Sequence, residues 1–182
     1  MHIEPTAIPE VLIIRPDVYR DDRGFFLETY RRTRFEQAGI ASDFPQENRS
    51  GSRQETLRGL HFQIRQVQGK LIQAVYGEIF DVAVDLRKSS GTFGQWTGQV
   101  LNAQDHLQMW IPPGFAHGFY VLSEWAEVIY KVTDVYAPEW ERTIHWDDPR
   151  ISIDWPLIDG KAPLVSEKDG RGLAFGSAPV FD

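Results

Sequence analysis

From Leu57 onward the sequence breaks into short runs in which apolar and polar residues alternate, each closed by a turn signal. Phe80, Val82, Val84 and Leu86 alternate with Asp81, Ala83 and Asp85. Leu107, Met109 and Ile111 alternate with His106, Gln108 and Trp110. Ala126, Val128, Tyr130 and Val132 alternate with Glu127, Ile129, Lys131 and Thr133. A period of two is that of a strand whose successive side chains leave opposite faces. The runs are separated by Tyr76-Gly77-Glu78, Lys88-Ser89-Ser90-Gly91 and Pro112-Pro113-Gly114. Many short strands bounded by tight turns predict an all-β sandwich or barrel.

The N-terminal third carries weaker signals. Val11 to Ile14 reads as a short strand, Asp21-Asp22-Arg23-Gly24 as a turn, and Phe25 to Tyr30 as a second strand. Thr33-Arg34-Phe35-Glu36 has the form of a capping box and Gly39 stands where a helix would stop. This predicts one short helix, the only good helical signal in the chain. Phe44 to Ser52 is polar and reads as a loop, as does the Pro-, Gly- and Asp-rich tail from Asp147. No linker, repeat or low-complexity segment interrupts the chain, so residues 1–182 are expected to form one domain.

Several function classes are disfavoured at this level. The formal net charge of −7 repels nucleic acid, so an anionic ligand must be met by a local basic cluster. With no cysteine, disulfides and thiolate metal sites are excluded, which fits a cytoplasmic protein. Residues 1–10 lack the apolar run of a signal peptide, and no window approaches the ~20 apolar residues of a membrane helix.

The chemistry is concentrated in Leu57-Arg58-Gly59-Leu60-His61-Phe62-Gln63 and Lys70. These place an imidazole, a guanidinium and an ammonium in one strand-turn-strand unit. Imidazole is the default proton acceptor near neutral pH, and the two cations suit phosphate or a developing oxyanion. Strict alternation creates a conflict, because Arg58 and His61 are three apart and should face opposite ways. Either Gly59 hosts a bulge that re-aims one side chain, or Arg58 reaches a pocket from the strand's end, or it is a solvated surface charge.

Alternation puts Tyr130 on the face of Val128 and Val132, the inner face of a small barrel. A phenol there is either a core side chain bonded to a carbonyl or a proton donor. Pro112-Pro113-Gly114-Phe115-Ala116-His117 has the Pro-x-Gly-x-x-His spacing that resembles the second motif of cupins. The matching first motif reads His61-Phe62-Gln63, with an amide where a second imidazole ligand would stand. Two imidazoles alone make a poor site for a divalent transition metal, so no metal is expected. His117 could instead be satisfied by the turn backbone. Asp169, in Ser166-Glu167-Lys168-Asp169-Gly170, is either a solvated turn residue or a carboxylate folded back onto His61. His2, His106 and His145 have no comparable context and are given no role.

Taken in order, the motifs resemble one family, the dTDP-4-dehydrorhamnose 3,5-epimerases. The likeness runs through Asp22-Arg23-Gly24-Phe25-Phe26-Leu27-Glu28, Gln46-Glu47-Asn48, the 57–63 segment and Gln68-Gly69-Lys70-Leu71. It continues through residues 77–85, Thr92-Phe93-Gly94-Gln95-Trp96, residues 110–119, Tyr130-Lys131 and Lys168-Asp169. The resemblance implies a cupin double-stranded β-helix (a jelly-roll barrel) with few short helices, working as a homodimer without metal or cofactor. It implies dTDP-4-dehydro-6-deoxy-D-glucose as substrate and a product leading to dTDP-L-rhamnose. It implies His61 as base, Asp169 as its partner and Tyr130 as proton donor; on chemical grounds Lys70, and His117 with it, are expected to stabilise the substrate oxygen as charge develops there. Arg23, Glu28, Gln46, Asn48, Arg58, Lys70, His117, Glu141 and Lys168 match substrate contacts, and Tyr136 matches the aromatic that stacks on thymine. Arg23 and Glu28 would enter from the partner subunit. Around Ala137-Pro138-Glu139-Trp140-Glu141 the local sequence departs from the pattern, so Glu139 competes with Glu141.

These residue types suit the reaction. Carbons 3 and 5 flank a ketone, so removing either hydrogen gives an enolate. One base returns its proton to the face it came from; inversion needs a second group opposite. Three other readings use the same residues: a narrower epimerase or 3,4-ketoisomerase, a metal-dependent cupin, or a non-catalytic sugar-binding cupin.

Overall fold

The computed structural model describes residues 1–40 and 43–182. Its strands, in chain order, are β1 (His2–Pro5), β2 (Leu12–Arg15), β3 (Val18–Asp21), β4 (Gly24–Leu27), β5 (Gln46–Arg53), β6 (Leu57–Gln63) and β7 (Lys70–Tyr76). They continue as β8 (Glu78–Asp85), β9 (Trp96–Asn102), β10 (Gln108–Ile111), β11 (Phe115–Val121), β12 (Trp125–Val132) and β13 (Glu141–Thr143). Two short helices, α1 (Arg32–Gln37) and α2 (Glu167–Gly170), accompany them. One sheet runs β1-β2-β10-β7-β12-β5, the other β13-β6-β11-β8-β9, and β3 and β4 form a two-stranded hairpin. The named strand pairs are antiparallel. The result is the all-β, double-sheet cupin barrel.

The alternation explains how the sheets meet. Ile72, Met109, Ile111, Ala126 and Val128 of the six-stranded sheet pack against Ile79, Ala83, Leu101, Phe115, Phe119 and Val121 of the five-stranded one. This inter-sheet layer is the barrel interior. The opposite face of the five-stranded sheet is apolar too: Leu57, Leu60, Phe62, Val82, Val84, Ala116 and Tyr120 are buried under Ile144, Ile151, Trp155 and Phe175. The tail read as loop is therefore a packed cover. Its backbone is irregular and meets the rest of the chain at isolated bridges, Leu164 with Thr56, Leu173 with Ile144 and Phe181 with Arg87, and the Trp155 indole N–H donates to the Trp146 carbonyl at 2.9 Å.

Two local expectations are corrected. The capping box does not form: Arg31 is the N-cap without a side-chain bond, and Thr33 lies inside α1. The earlier start seats Phe35 in a third cluster with Ile14, Ile40, Leu71 and Trp110, on the outside of the six-stranded sheet. The stop at Gly39 does hold, with φ +74° there and the Ile40 N–H returning to the Phe35 carbonyl at 2.9 Å. The Phe44–Ser52 loop is also corrected, since Gln46–Arg53 is a strand registered along all of β12. Its inward residues are polar because they line a cavity. Its outward Glu47 and Arg49 pair with Lys131 and Glu127.

Candidate active site

At one end of the inter-sheet space the apolar layer gives way to polar side chains on the same strand faces. Lys70 lies two residues before Ile72 on β7, Tyr130 two after Val128 on β12, and His117 two before Phe119 on β11. With Gln46, Asn48 and Ser50 of β5, Arg58 and His61 of β6, Gln68, Phe119, Tyr136 and Glu141, they line a cavity of about 280 Å³.

Arg58 and His61 reach this one cavity because β6 carries an extra residue. His61 is registered with His117, but Arg58 with Phe119, so two β6 residues oppose the single Gly118. Gly59 adopts φ +133°, and a Cβ on it would fall 2.5 Å from the Gly118 Cα and 2.9 Å from the His117 carbonyl oxygen. Only glycine fits so close a backbone approach at that φ. The bulge resolves the parity conflict in the sequence, and Arg58 Nε is held by Ser52 Oγ at 3.0 Å.

His61 Nε2 lies 2.6 Å from Asp169 Oδ1. Asp169 is 3% exposed, so this carboxylate has almost no water to compete with the imidazole. Burial pushes the carboxyl upward, but the His61 bond and charge, the Gly59 N–H and Ser166 together hold it below the usual range. Ser166 caps α2 and its Oγ accepts the Asp169 N–H at 3.0 Å, which fixes where the carboxylate starts. With Nε2–H given to Asp169, the imidazole lone pair sits on Nδ1.

A second pair stands beside the first. His117, the direct cross-strand neighbour of His61, places Nε2 2.7 Å from Oδ1 of the fully buried Asp81. The partner of His117 is thus a carboxylate and not the turn backbone. Burial lowers the His117 pKa against the pull of Asp81, so the ring is neutral near pH 7. Asp81 was missed by sequence reasoning. Its pairing with His117 depends on the register between β8 and β11, which leaves no mark in the sequence.

Lys70 Nζ donates to the His61 carbonyl at 3.3 Å. Burial lowers its pKa to about 8, opposed by Glu141 and Asp81. Tyr130 lines the same cavity as His61 from the other sheet, and among the described residues its hydroxyl has no hydrogen-bond partner. Burial raises its pKa, so the phenol stays protonated at neutral pH. At the mouth, the Tyr136 hydroxyl donates to Glu141 Oε2 at 2.8 Å, and Lys168 pairs with the same carboxylate. Burial and Glu141 push the Tyr136 phenol up to about 12. Glu139, by contrast, is exposed and does not line the cavity.

Arg23 and Glu28 are not brought to this cavity. Arg23 sits at the exposed β3–β4 hairpin and pairs with Asp21 at 2.6 Å. Glu28 pairs with Arg31 and lies near Arg34. Among the described residues no group of three or more His, Asp or Glu side chains could hold a metal ion. The cavity thus offers an imidazole backed by a carboxylate, a protonated phenol on the facing sheet and a buried ammonium, a set able to move protons at carbon beside a carbonyl.

Comparison with known proteins points the same way. The family model described as dTDP-4-dehydrorhamnose 3,5-epimerase matches residues 5–176. A dTDP-4-dehydrorhamnose 3,5-epimerase of Pseudomonas aeruginosa is 59% identical over 176 residues, covering 96% of each chain. The crystal structure of a dTDP-6-deoxy-D-glucose-3,5-epimerase from Legionella pneumophila, in complex with dTDP-4-keto-L-rhamnose, superposes with a TM-score of 0.94 at 49% identity. It covers 98% of this chain and 94% of that one. A 3'-monoepimerase from Streptomyces bikiniensis, in complex with dTDP-quinovose, gives a TM-score of 0.89 at 30% identity over 96% of this chain and 88% of that one. The match spans nearly the whole sequence and the whole barrel, and the chain belongs to the dTDP-4-dehydrorhamnose 3,5-epimerase family.

Proposed function

We propose that the cavity carries out the family's reaction, inverting carbons 3 and 5 of dTDP-4-dehydro-6-deoxy-D-glucose to give dTDP-4-dehydro-L-rhamnose. The lone pair of His61 takes the proton beside the ketone. Asp169 holds the ring and stabilises the imidazolium that results. Electrons from the broken C–H bond move onto the ketone oxygen, where the Lys70 ammonium meets the negative charge. Tyr130 then gives its phenolic proton to the opposite face of the same carbon, and the centre inverts. Solvent reprotonates the phenolate and takes the proton from the imidazolium. The reaction is redox-neutral and calls for no electron carrier. Neutral His117 suits acceptance of a substrate hydroxyl better than donation to the oxyanion.

The observation that carries this reading is that His61 and Tyr130 project from different sheets into one cavity, with Asp169 directly behind His61. At about 280 Å³ the cavity is at the small end of ligand sites, which fits the sugar and leaves the nucleotide at the mouth. There Arg58 and Lys168 meet the diphosphate, Tyr136 offers its ring to the thymine, and Gln46, Asn48 and Glu141 supply polar contacts.

A homodimer completes the site in this proposal. Arg23 and Glu28 lie outside their own chain's cavity, on or next to a hairpin that, among the described residues, pairs with no further strand and exposes Tyr19, Phe25 and Phe26. Each hairpin would reach the partner's cavity mouth. A cytoplasmic location, where nucleotide sugars are made, belongs to the same reading; no described helix is long and apolar enough to cross a membrane.

The test is incubation with the keto-sugar nucleotide in heavy water, followed by NMR. Exchange and inversion at both carbons are expected. Reaction at carbon 3 alone would move the chain to the chemistry of the monoepimerase named above.

A further inference from the structure

We infer that Gln63, the amide standing where cupins place a second imidazole, is a positioning residue that fixes the Tyr136 ring at the cavity mouth. The inference rests on the reading of Tyr136 as the surface that receives the nucleotide base.

Tyr136 lies on the connection between β12 and the 3-10 turn Pro138–Trp140, outside any strand ladder, and is half exposed. Apart from its hydroxyl bond to Glu141, a ring in such a place is held by what fastens its backbone. Gln63 is 3% exposed and ends β6, two residues beyond His61. Its Oε1 accepts the Ala137 N–H at 2.8 Å. Its Nε2 donates to the Val135 carbonyl at 3.3 Å and the Gln66 carbonyl at 2.8 Å. One buried amide thus grips the residues on both sides of Tyr136. The N–H of Tyr136 itself goes to Gln46 Oε1 at 2.8 Å, from the opposite sheet. A primary amide is the group that can donate to one peptide and accept from the next. The position thus serves the mouth and not a metal, and it couples the strand bearing the proposed base to the proposed nucleotide platform.

The experiment is a double-mutant cycle with dTDP as the probe, combined with hydrogen exchange. Gln63→Leu removes the partner of the buried Ala137 N–H and of the Val135 and Gln66 carbonyls, so the Kd for dTDP should rise about ten-fold, KM should follow, and kcat should stay within about two-fold. Amides 136 and 137 should exchange faster. In a Tyr136→Ala background the same change should alter Kd less than about two-fold, because the two side chains act as one unit. Gln63→Glu, which keeps the acceptor for Ala137, should fall between and serves if the leucine variant does not fold. Unchanged exchange at 136 and 137, full additivity, or loss of kcat at constant KM would each overturn the inference. Unchanged dTDP affinity in Tyr136→Ala alone would overturn the platform reading instead, while the exchange result would still decide whether Gln63 fixes the loop.

Discussion

His61 and Tyr130 enter the same cavity from different sheets, His61 on β6 of the five-stranded sheet and Tyr130 on β12 of the six-stranded one. In the proposed mechanism the two sheets bring a base and an acid to opposite faces of a flat enolate, and the behaviour of variants follows from which part of that arrangement each one removes.

Asp169→Asn should cut kcat by about 10²–10⁴, since the amide no longer selects the tautomer with its lone pair on Nδ1 or stabilises the imidazolium. Substrate affinity should change little. The carboxyl sits below its unfolded value of 3.8, so it adds stability at pH above that value and loses it as the pH falls through its folded pKa. The stability gap between wild type and variant should therefore be present at pH 7 and close in acid, as chemical denaturation over a pH series would record.

Lys70→Met should abolish most turnover yet raise stability. Burial has lowered the ammonium from 10.5 to about 8, so the charge is held at pH 7 against its environment. Replacing it with an apolar side chain of similar length should stabilise the protein by about 1–3 kcal/mol at pH 7. In the wild type, stability should rise between pH 8 and 10.5, where the unfolded chain binds a proton that the folded one does not. Thermal melts across that window check the sign.

Gly59→Ala should be among the most damaging single-methyl additions in the chain. The new carbon would meet the Gly118 backbone at 2.5 Å, in a conformation with φ +133°. A cost of about 3 kcal/mol or more is expected, with loss of the bulge that brings Arg58 and His61 to one face. Melting temperature and KM should both suffer. A variant of wild-type stability would show that the bulge does not depend on glycine.

The dimer proposal predicts complementation. Arg23→Ala and His61→Asn should each be weak or inactive alone. Mixed and reassorted, they should recover about a quarter of wild-type activity, because half the dimers are mixed and each has one intact site. No recovery would place Arg23 outside the partner's site.

Much of this was legible in the sequence, and the rest was hidden for physical reasons. Period-two runs reported β8, β10 and β12 directly, since burial on at least one face leaves its mark on every second residue. β5 was invisible because its inward face is polar for function and its outward face polar for solvent. The tail around Trp155 and Phe175 was invisible because its apolar anchors sit on irregular backbone and recur at no fixed period. The Arg58–His61 conflict was itself informative: a breach of alternation next to a glycine offered a bulge as one of three readings, and the register of β6 and β11 selects it. Asp81 could not be found without the fold, as its meaning depends on the register of β8 and β11, which sets Asp81 opposite Phe119 and one diagonal step from His117.

The proton path is tested most directly by following solvent deuterium into carbons 3 and 5 of the keto-sugar nucleotide with His61→Asn and Tyr130→Phe. Tyr130→Phe should still exchange, since abstraction by His61 survives, while inversion falls. His61→Asn should lose exchange by about 10²–10⁴. Exchange retained without His61 and lost without Tyr130 would contradict the assignment of base and acid.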